Sequence, residues 1–400
     1  MKNIVSSEKL KIAIFGKTNS GKSSLFNAVL SQKMSIVSDE PGTTADPVRK
    51  ALEIPGIGPC VLVDTAGFDD LDGELGRKRV AMTRKTVDGT DIAIVLLTDC
   101  DELELEWISF LKNGNIPVIP VIGKCDIPGK ERMITGTVER TAGRSPIFFS
   151  AVTGEGLSGV LEALKEVSVG IRNSGTLTGE LAGPGDSVML VMPQDNEAPE
   201  GRLILPQVRT IRELLDKGCT VVCCNENTME ASLGRLSSPP DLIITDSQVF
   251  AKVWKLKPGS SRLTSFSILF AAYKGDIGIF MDGTRRMSSL GSDSRVLIAE
   301  ACSHVPTNED IGRVKLPAML KKYFGSGLRT DIVSGDDFPE DISSYDLVIH
   351  CGACMFGRKH VMSRISSVCR QGVPVTNYGL AIAWLTGILD KVDIPGFRKV

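Results

Sequence analysis

One stretch near the start of the chain narrows the possibilities more than any other. Gly16-Lys-Thr-Asn-Ser-Gly21-Lys22-Ser23 follows a short apolar run, Lys11-Ile-Ala-Ile-Phe15, and opens a stretch of helical periodicity from Ser23 to Leu30. Strand, glycine-rich turn and helix in that order make a phosphate loop. Gly16 and Gly21 let the backbone turn its N–H groups inward around an anion, and Asn19, Ser20 and Ser24 line the same turn. The helix N-terminus adds positive potential, Lys22 neutralises the β and γ phosphates of a nucleoside triphosphate, and the Ser23 hydroxyl is placed for Mg²⁺.

A phosphate loop needs a parallel sheet around it, and the chain supplies one. Apolar runs recur at Cys60 to Val63, Ile92 to Leu97, Val118 to Ile122 and Ile147 to Phe149, separated by helical stretches such as Leu103 to Lys112 and Leu157 to Val167. This alternation predicts a parallel sheet with helices on both faces over residues 1–171, an N-terminal P-loop domain. Residues 172–186 are polar and glycine-rich and read as a linker. Two smaller α/β domains are expected to follow, at 187–265 and 266–400. Strands are predicted at Val188 to Met192, Thr220 to Cys224 and Leu242 to Thr245 in the first of these, and at Ile277 to Phe280, Val296 to Ala301, Asp346 to Ile349 and Val373 to Thr376 in the second. The overall class is α/β.

Asp64-Thr-Ala-Gly67 ends the strand at Cys60 to Val63, some forty residues after the phosphate loop. Its carboxylate would face the magnesium through water, and the Gly67 amide would meet the γ-phosphate. Between the two motifs, Gly42-Thr-Thr44-Ala-Asp46 offers Thr44 as a switch threonine for the metal. With that spelling the first 170 residues resemble translation-factor-type GTPases close to the tRNA-modifying and ribosome-assembly GTPases. The resemblance implies GTP as substrate, catalytic roles for Lys22 and Thr44, and a potassium ion held by Asn19 beside the β and γ phosphates; the other reading of Asn19 is a cap on the helix start. Phe68 stands where many GTPases carry a water-orienting glutamine, so hydrolysis is expected to be slow. Asp70, or a neighbour in the acidic run from Asp69 to Glu74, is the candidate to orient water instead; a solvated loop is the plainer reading. Guanine selectivity in such proteins rests on N-K-x-D, here Gly123-Lys124-Cys125-Asp126. Lys124 and Asp126 keep their register without the asparagine, and Ser150-Ala151 provides the other guanine-side loop, so GTP is expected with looser binding.

Charge and apolar content exclude several classes of function. Forty-six basic and forty-eight acidic side chains leave a formal charge of −2, without the basic excess of a nucleic-acid binder. The apolar stretch Leu380 to Leu389 is far short of the roughly 20 residues a bilayer span needs, and the start lacks a signal-peptide core. The expected location is the cytoplasm, with no membrane and no nucleic acid as partner.

The ten cysteines are irregularly spaced and read as thiols rather than a disulfide framework, while all three histidines fall in the last hundred residues. Cys302-Ser-His304 closes one predicted strand, and His350-Cys351-Gly-Ala-Cys354 closes another some forty-five residues later. Ligand sites in α/β sheets gather beyond the carboxyl ends of strands, so three thiolates can converge there. On spacing alone zinc, a 4Fe-4S cluster and plain buried thiols all stand. The C-x-H and H-C-x-x-C pair behind a GTPase domain with G-T-T-x-D resembles the HydF family, the FeFe-hydrogenase maturation GTPases, over essentially the whole chain. Ala198-Pro-Glu-Gly-Arg-Leu-Ile-Leu-Pro-Gln207 is similar to that family's dimerisation domain.

The resemblance implies a scaffold that binds a 4Fe-4S cluster through Cys302, Cys351 and Cys354 and hands a two-iron unit to the apo-hydrogenase. His304 and His350 are either exchangeable fourth ligands or hydrogen-bonding groups around the site, and Glu300 is a further oxygen candidate. The implied partners are a second copy of the chain, two radical-SAM maturases and the FeFe-hydrogenase apoprotein. The competing reading is a regulatory or RNA-processing GTPase with a structural zinc site. His360 and the remaining cysteines, Cys60, Cys100, Cys125, Cys219, Cys223, Cys224 and Cys369, read as packing or surface residues.

Overall fold

A computed structural model of the chain describes residues 9–31, 36–40, 48–70, 73–127, 135–172, 175–194, 203–301, 311–335, 337–353 and 356–397. The backbone divides into two compact units, Met1–Ser174 and Gly175–Val400. Among the described residues no helix is long and apolar enough to cross a membrane.

The first unit is built on seven strands: β1 (Leu10–Gly16), β2 (Ile36–Glu40), β3 (Val48–Ile54), β4 (Gly58–Asp64), β5 (Ile92–Leu97), β6 (Val118–Gly123) and β7 (Ile147–Phe149), in the order β2-β3-β4-β1-β5-β6-β7. From β4 to β7 the pairing is parallel, while β2 and β3 add on antiparallel at one edge. Sequence patterning missed those two edge strands. Their charged residues, such as Lys50 and Glu53, hide the period, and the ladder to β4 fixes them instead. Alternation along β1 sends Ile12 and Ile14 to one core with Leu25 and Phe26, and Ala13 and Phe15 to another with Trp107 and Ile108. Both faces of the sheet are therefore covered.

The second unit holds two four-stranded parallel sheets. One contains β8 (Ser187–Val191), β9 (Thr220–Cys224), β10 (Leu242–Thr245) and β11 (Arg262–Ser265), ordered β11-β10-β8-β9. The other contains β12 (Arg295–Ala299), β13 (Arg329–Val333), β14 (Leu347–His350) and β15 (Val375–Asn377), ordered β13-β12-β14-β15. The two share one topology. In each, the first strand is flanked by the second on one side and the third on the other, which opens a crevice at the carboxyl ends of β8 and β10 and of β12 and β14.

Residues 175–186, read from their glycines as a linker, pack onto this unit. Leu177 and Leu181 are buried, and the Glu213 carboxylate accepts from the Leu177 amide at 2.6 Å and the Thr178 hydroxyl at 2.7 Å. The strand expected at Ile277 to Phe280 is a helix, Ile277–Arg286, capped by the Asp276 side chain on the Ile279 amide at 3.1 Å. Four apolar residues do not distinguish strand from buried helix, and the cap decides it.

Candidate functional site

At the carboxyl end of β1 the chain turns through Asn19 (φ +59°) and Gly21 (φ +101°) before the helix Lys22–Ser31 begins. Both angles lie in the left-handed region and curl the loop around a central space. Lys22 is buried, and its ammonium donates back to the carbonyls of Gly16 at 3.1 Å and Lys17 at 2.6 Å. Burial pushes its pKa below the ordinary lysine value against the pull of Asp64 and Asp69. Across from it, the Ser23 hydroxyl donates to the Asp64 carboxylate at 2.6 Å. Burial raises the Asp64 pKa, opposed by that bond and by Lys22. Cation, hydroxyl and carboxylate converge at the end of β1 and β4, the donor set that a magnesium–triphosphate calls for.

The Asp64–Gly67 loop is held from both sides. The Thr65 hydroxyl donates to the Ile14 carbonyl at 2.7 Å. Phe68 is 4% exposed and stacks on Trp107, ring centroids 4.8 Å apart, so its side chain faces the core. The next side chain turns the other way: Asp69 Oδ1 accepts from the Thr18 amide at 2.7 Å and the Thr18 hydroxyl at 2.9 Å. Burial disfavours its ionised form, but the Thr18 bonds and the nearby Lys22 outweigh it and hold the carboxyl below the usual carboxylate range. Asp70 instead pairs with Arg79 at 3.4 Å. Of Asp69 and Asp70, the one that touches the phosphate loop is thus Asp69, which sequence reasoning named only as a neighbour. Thr44 lies outside the described residues.

On the guanine side, Lys124 (φ +59°) and Asp126 are exposed beyond β6, while Ser150 is buried and its hydroxyl accepts from the Val152 and Thr153 amides, each at 3.2 Å; Ala151 is exposed beside it. A Cβ at Gly123 would stand 3.3 Å from the Ser20 carbonyl oxygen, so the position without the usual asparagine faces the phosphate loop.

The second site lies at the crevice between β12 and β14, where Ala299 pairs with His350. Just beyond the strands, Cys351 Sγ accepts the Ala301 amide at 3.0 Å and the Ala353 amide at 3.3 Å. In the sequence Ala301 immediately precedes Cys302. Cys302, His304 and Cys354 themselves lie outside the described residues. His350 is 1% exposed, and its Nδ1 donates to the Cys351 carbonyl at 2.9 Å. A carbonyl only accepts, so the proton sits on Nδ1, and Nε2 carries a buried lone pair with no hydrogen-bond partner among the described residues. Burial lowers the ring's pKa to about 4, which leaves it neutral at pH 7. Glu300 is buried and accepts from Arg313 Nε at 3.0 Å. His360 stacks on Phe356 at 4.0 Å. Cysteine sulfur receiving amide N–H bonds, beside a neutral imidazole with an unpartnered nitrogen, is donor chemistry that fits zinc or an iron–sulfur cluster.

A strand-end phosphate loop joined to Ser23 and Asp64 on a mostly parallel sheet defines the first unit as a P-loop GTPase domain, followed by paired α/β sheets. A family model described as a 50S ribosome-binding GTPase matches residues 11–124. The hydrogen maturase F dimerization domain matches 177–275, and the hydrogen maturase F tetramerization domain matches 278–393. The chain belongs to the hydrogen maturase F (HydF) family.

Among curated proteins it is similar to the tRNA modification GTPase MnmE of Mannheimia succiniciproducens, 36% identical over 182 residues, which is 44% of this chain and 38% of that protein. MnmE of Moorella thermoacetica is 34% identical over 168 residues, 41% of this chain and 36% of that one. The chain therefore spans less than two fifths of the length of these relatives. Among solved structures, the G domain of the T. maritima FeoB iron transporter is 24% identical with a TM-score of 0.31, covering 40% of this chain and 97% of that one.

Proposed function

We propose that this chain is a GTP-hydrolysing carrier that holds a 4Fe-4S cluster, and assembles and delivers the two-iron subcluster of the FeFe-hydrogenase active site. The observation that carries the reading is the coexistence, in one chain of this family, of the convergent Lys22, Ser23 and Asp64 with a sheet edge where Cys351 accepts two backbone amides. Lys22 draws charge from the β and γ phosphates as the bond to the leaving oxygen breaks, Ser23 and Thr44 hold Mg²⁺, and the Gly67 amide meets the γ-phosphate. Asn19, exposed at the turn, holds potassium in the place an arginine would take. Lys124, Asp126, Ser150 and Ala151 grip guanine.

In the second unit Cys302, Cys351 and Cys354 hold the cluster, with His304 or His350 as the replaceable fourth donor. A cluster held by these residues would supply an iron with an open coordination position for a bridging group. Residues 187–265 carry self-association into a homodimer, and 266–400 carry the metal site. GTP turnover in the cytoplasm changes the switch loops and times encounters with the radical-SAM maturases and the apo-hydrogenase.

Anaerobic purification with iron, sulfide and zinc analysis tests the metal reading. Brown protein with about four irons per chain, lost in Cys351→Ala, is expected; colourless zinc protein overturns it in favour of a regulatory GTPase with a structural site. Lys22→Ala should keep the iron and lose partner exchange. Exchange and hydrogenase activation at the wild-type level would remove the nucleotide from the account.

A further inference from the structure

The helix Phe266–Lys274 follows β11 and ends in a residue its composition does not explain. Lys274 is 2% exposed and is the one charged residue of a mostly apolar helix. Its ammonium donates to the carbonyls of Ala353 at 2.7 Å and Phe356 at 2.6 Å, and lies 5.3 Å from the Phe270 ring centroid. In the sequence those two residues flank Cys354, a few positions after Cys351. The tie is returned from the other side: Arg358 Nη1 donates to the Tyr273 and Gly275 carbonyls at 2.7 and 2.9 Å, at the carboxyl end of the same helix. Two cations thus fasten the cysteine loop to one helix terminus.

Burying an ammonium costs several kcal/mol unless good bonds replace water. A side chain needed only to fill this space would be methionine or leucine. The charge therefore has a use here, and the loop's chemistry names it. Ala353 stands at φ +51°, a left-handed turn that an alanine adopts only when its surroundings hold it there, and its amide is the one that reaches Cys351 Sγ. Lys274 grips the carbonyl of that same residue. A positive charge bonded to the residue whose amide reaches the sulfur also favours thiolate over thiol, and favours the more negative, reduced form of a thiolate-bound cluster.

We infer that Lys274 is a positioning residue of the metal site, holding the backbone that follows Cys351 through the Ala353 and Phe356 carbonyls and supplying the charge that raises the reduction potential of a bound cluster. The inference rests on the cluster reading above and adds a residue from the neighbouring sheet's helix to it.

The test uses the full chain, purified and reconstituted anaerobically, with iron content and a spectroelectrochemical midpoint as readouts. Lys274→Met should keep near-wild-type GTP turnover and bind iron less completely. What it binds should be harder to reduce by about tenfold in the reduced-to-oxidised ratio, equivalent to about 59 mV for a one-electron couple. Lys274→Arg, which keeps charge and donors, should recover most of that shift. If Lys274→Met does not fold, Lys274→Gln keeps a donor without the charge and should show the same lowering. A wild-type midpoint in either uncharged variant overturns the role of Lys274 while leaving the cluster in place. Wild-type protein that takes up no iron and sulfide overturns the cluster reading itself, and this inference with it.

Discussion

Replacing Asp69 by alanine isolates the contact between the phosphate loop and the loop that carries Gly67. Two hydrogen bonds vanish, from the Thr18 amide at 2.7 Å and the Thr18 hydroxyl at 2.9 Å. Bonds to a charged acceptor contribute about 1.5–3 kcal/mol each when enclosed, but these lie at the solvent edge, so about 0.5–1.5 kcal/mol each is the better scale. A coupling of about 1–3 kcal/mol between the two loops corresponds to a factor of about 5–150. The approach is otherwise tight: a Cβ on Gly67 would fall 2.3 Å from the Thr18 hydroxyl, so the loops touch with no spacer and the carboxylate clamps them. In Asp69→Ala the Gly67 amide is no longer held toward the γ-phosphate, and kcat for GTP should fall about tenfold while nucleotide affinity stays within about twofold. Asp69→Asn keeps an acceptor oxygen and should recover most of the loss, and Thr18→Val should fall between the two. The assay is steady-state phosphate release in potassium and magnesium, paired with fluorescent-nucleotide titration. Unchanged kcat in Asp69→Ala, or a loss confined to affinity, refutes the clamp.

Restoring the glutamine should not restore fast hydrolysis. Phe68→Gln puts an amide against Trp107, where Phe68 is 4% exposed, so the first unit should lose about 3 kcal/mol and melt about 6–12 °C lower with no gain in turnover; faster GTP release of phosphate at an unchanged melting point contradicts this. In the second unit, a Cβ at Gly283 would lie 2.0 Å from the Val375 carbonyl oxygen, so Gly283→Ala should lower the denaturant midpoint by the equivalent of about 2 kcal/mol or more, and an unmoved midpoint denies the close approach of helix and strand. Acid should erase the clamp. The Asp69 carboxyl is depressed in the folded chain, so its stabilisation is complete above the unfolded value of about 3.9 and is lost as pH falls through the lower folded value. The gap in melting temperature between wild type and Asp69→Asn should hold from pH 7 to about pH 4 and narrow as pH falls further, and a gap that widens would reverse the sign.

What could be read beforehand was whatever local periodicity and fixed motifs encode. The strand Leu10–Gly16, the phosphate loop and Asp64 follow from apolar alternation and glycine placement. So does the position of His350 and Cys351 at the end of Leu347–His350. Pairing information was out of reach: Val48–Ile54 is a strand because Gly58–Asp64 lies beside it, not because its own residues demand it. The choice between Asp69 and Asp70 was out of reach as well, because Phe68 and Asp69 form a turn, closed by the Asp70 amide on the Gly67 carbonyl at 3.5 Å, and strand alternation does not apply there. Lys274 left a fainter mark, a single cation closing Phe-Ser-Ile-Leu-Phe-Ala-Ala-Tyr, which only the position of Ala353 and Phe356 explains.

The same helix accounts for why residues 175–400 form one unit although they contain two sheets of identical order. Phe266, Leu269 and Phe270 pack with Leu190, Leu214 and Ile244 in the core under the first sheet. Ile268 and Ala271 pack with Val296, Ile298 and Ile349 in a core that also takes in Val191 and Ile243. A helix apolar on every side is stable only when covered on every side, so neither sheet buries it alone. Cutting the chain on either side of it would bare one of these faces, at about 25 cal/mol for each Å² returned to water, and would leave Lys274 facing water rather than the Ala353 and Phe356 carbonyls. The crevice between β12 and β14, where Cys351 accepts two backbone amides, thus depends on an element that also serves the neighbouring sheet.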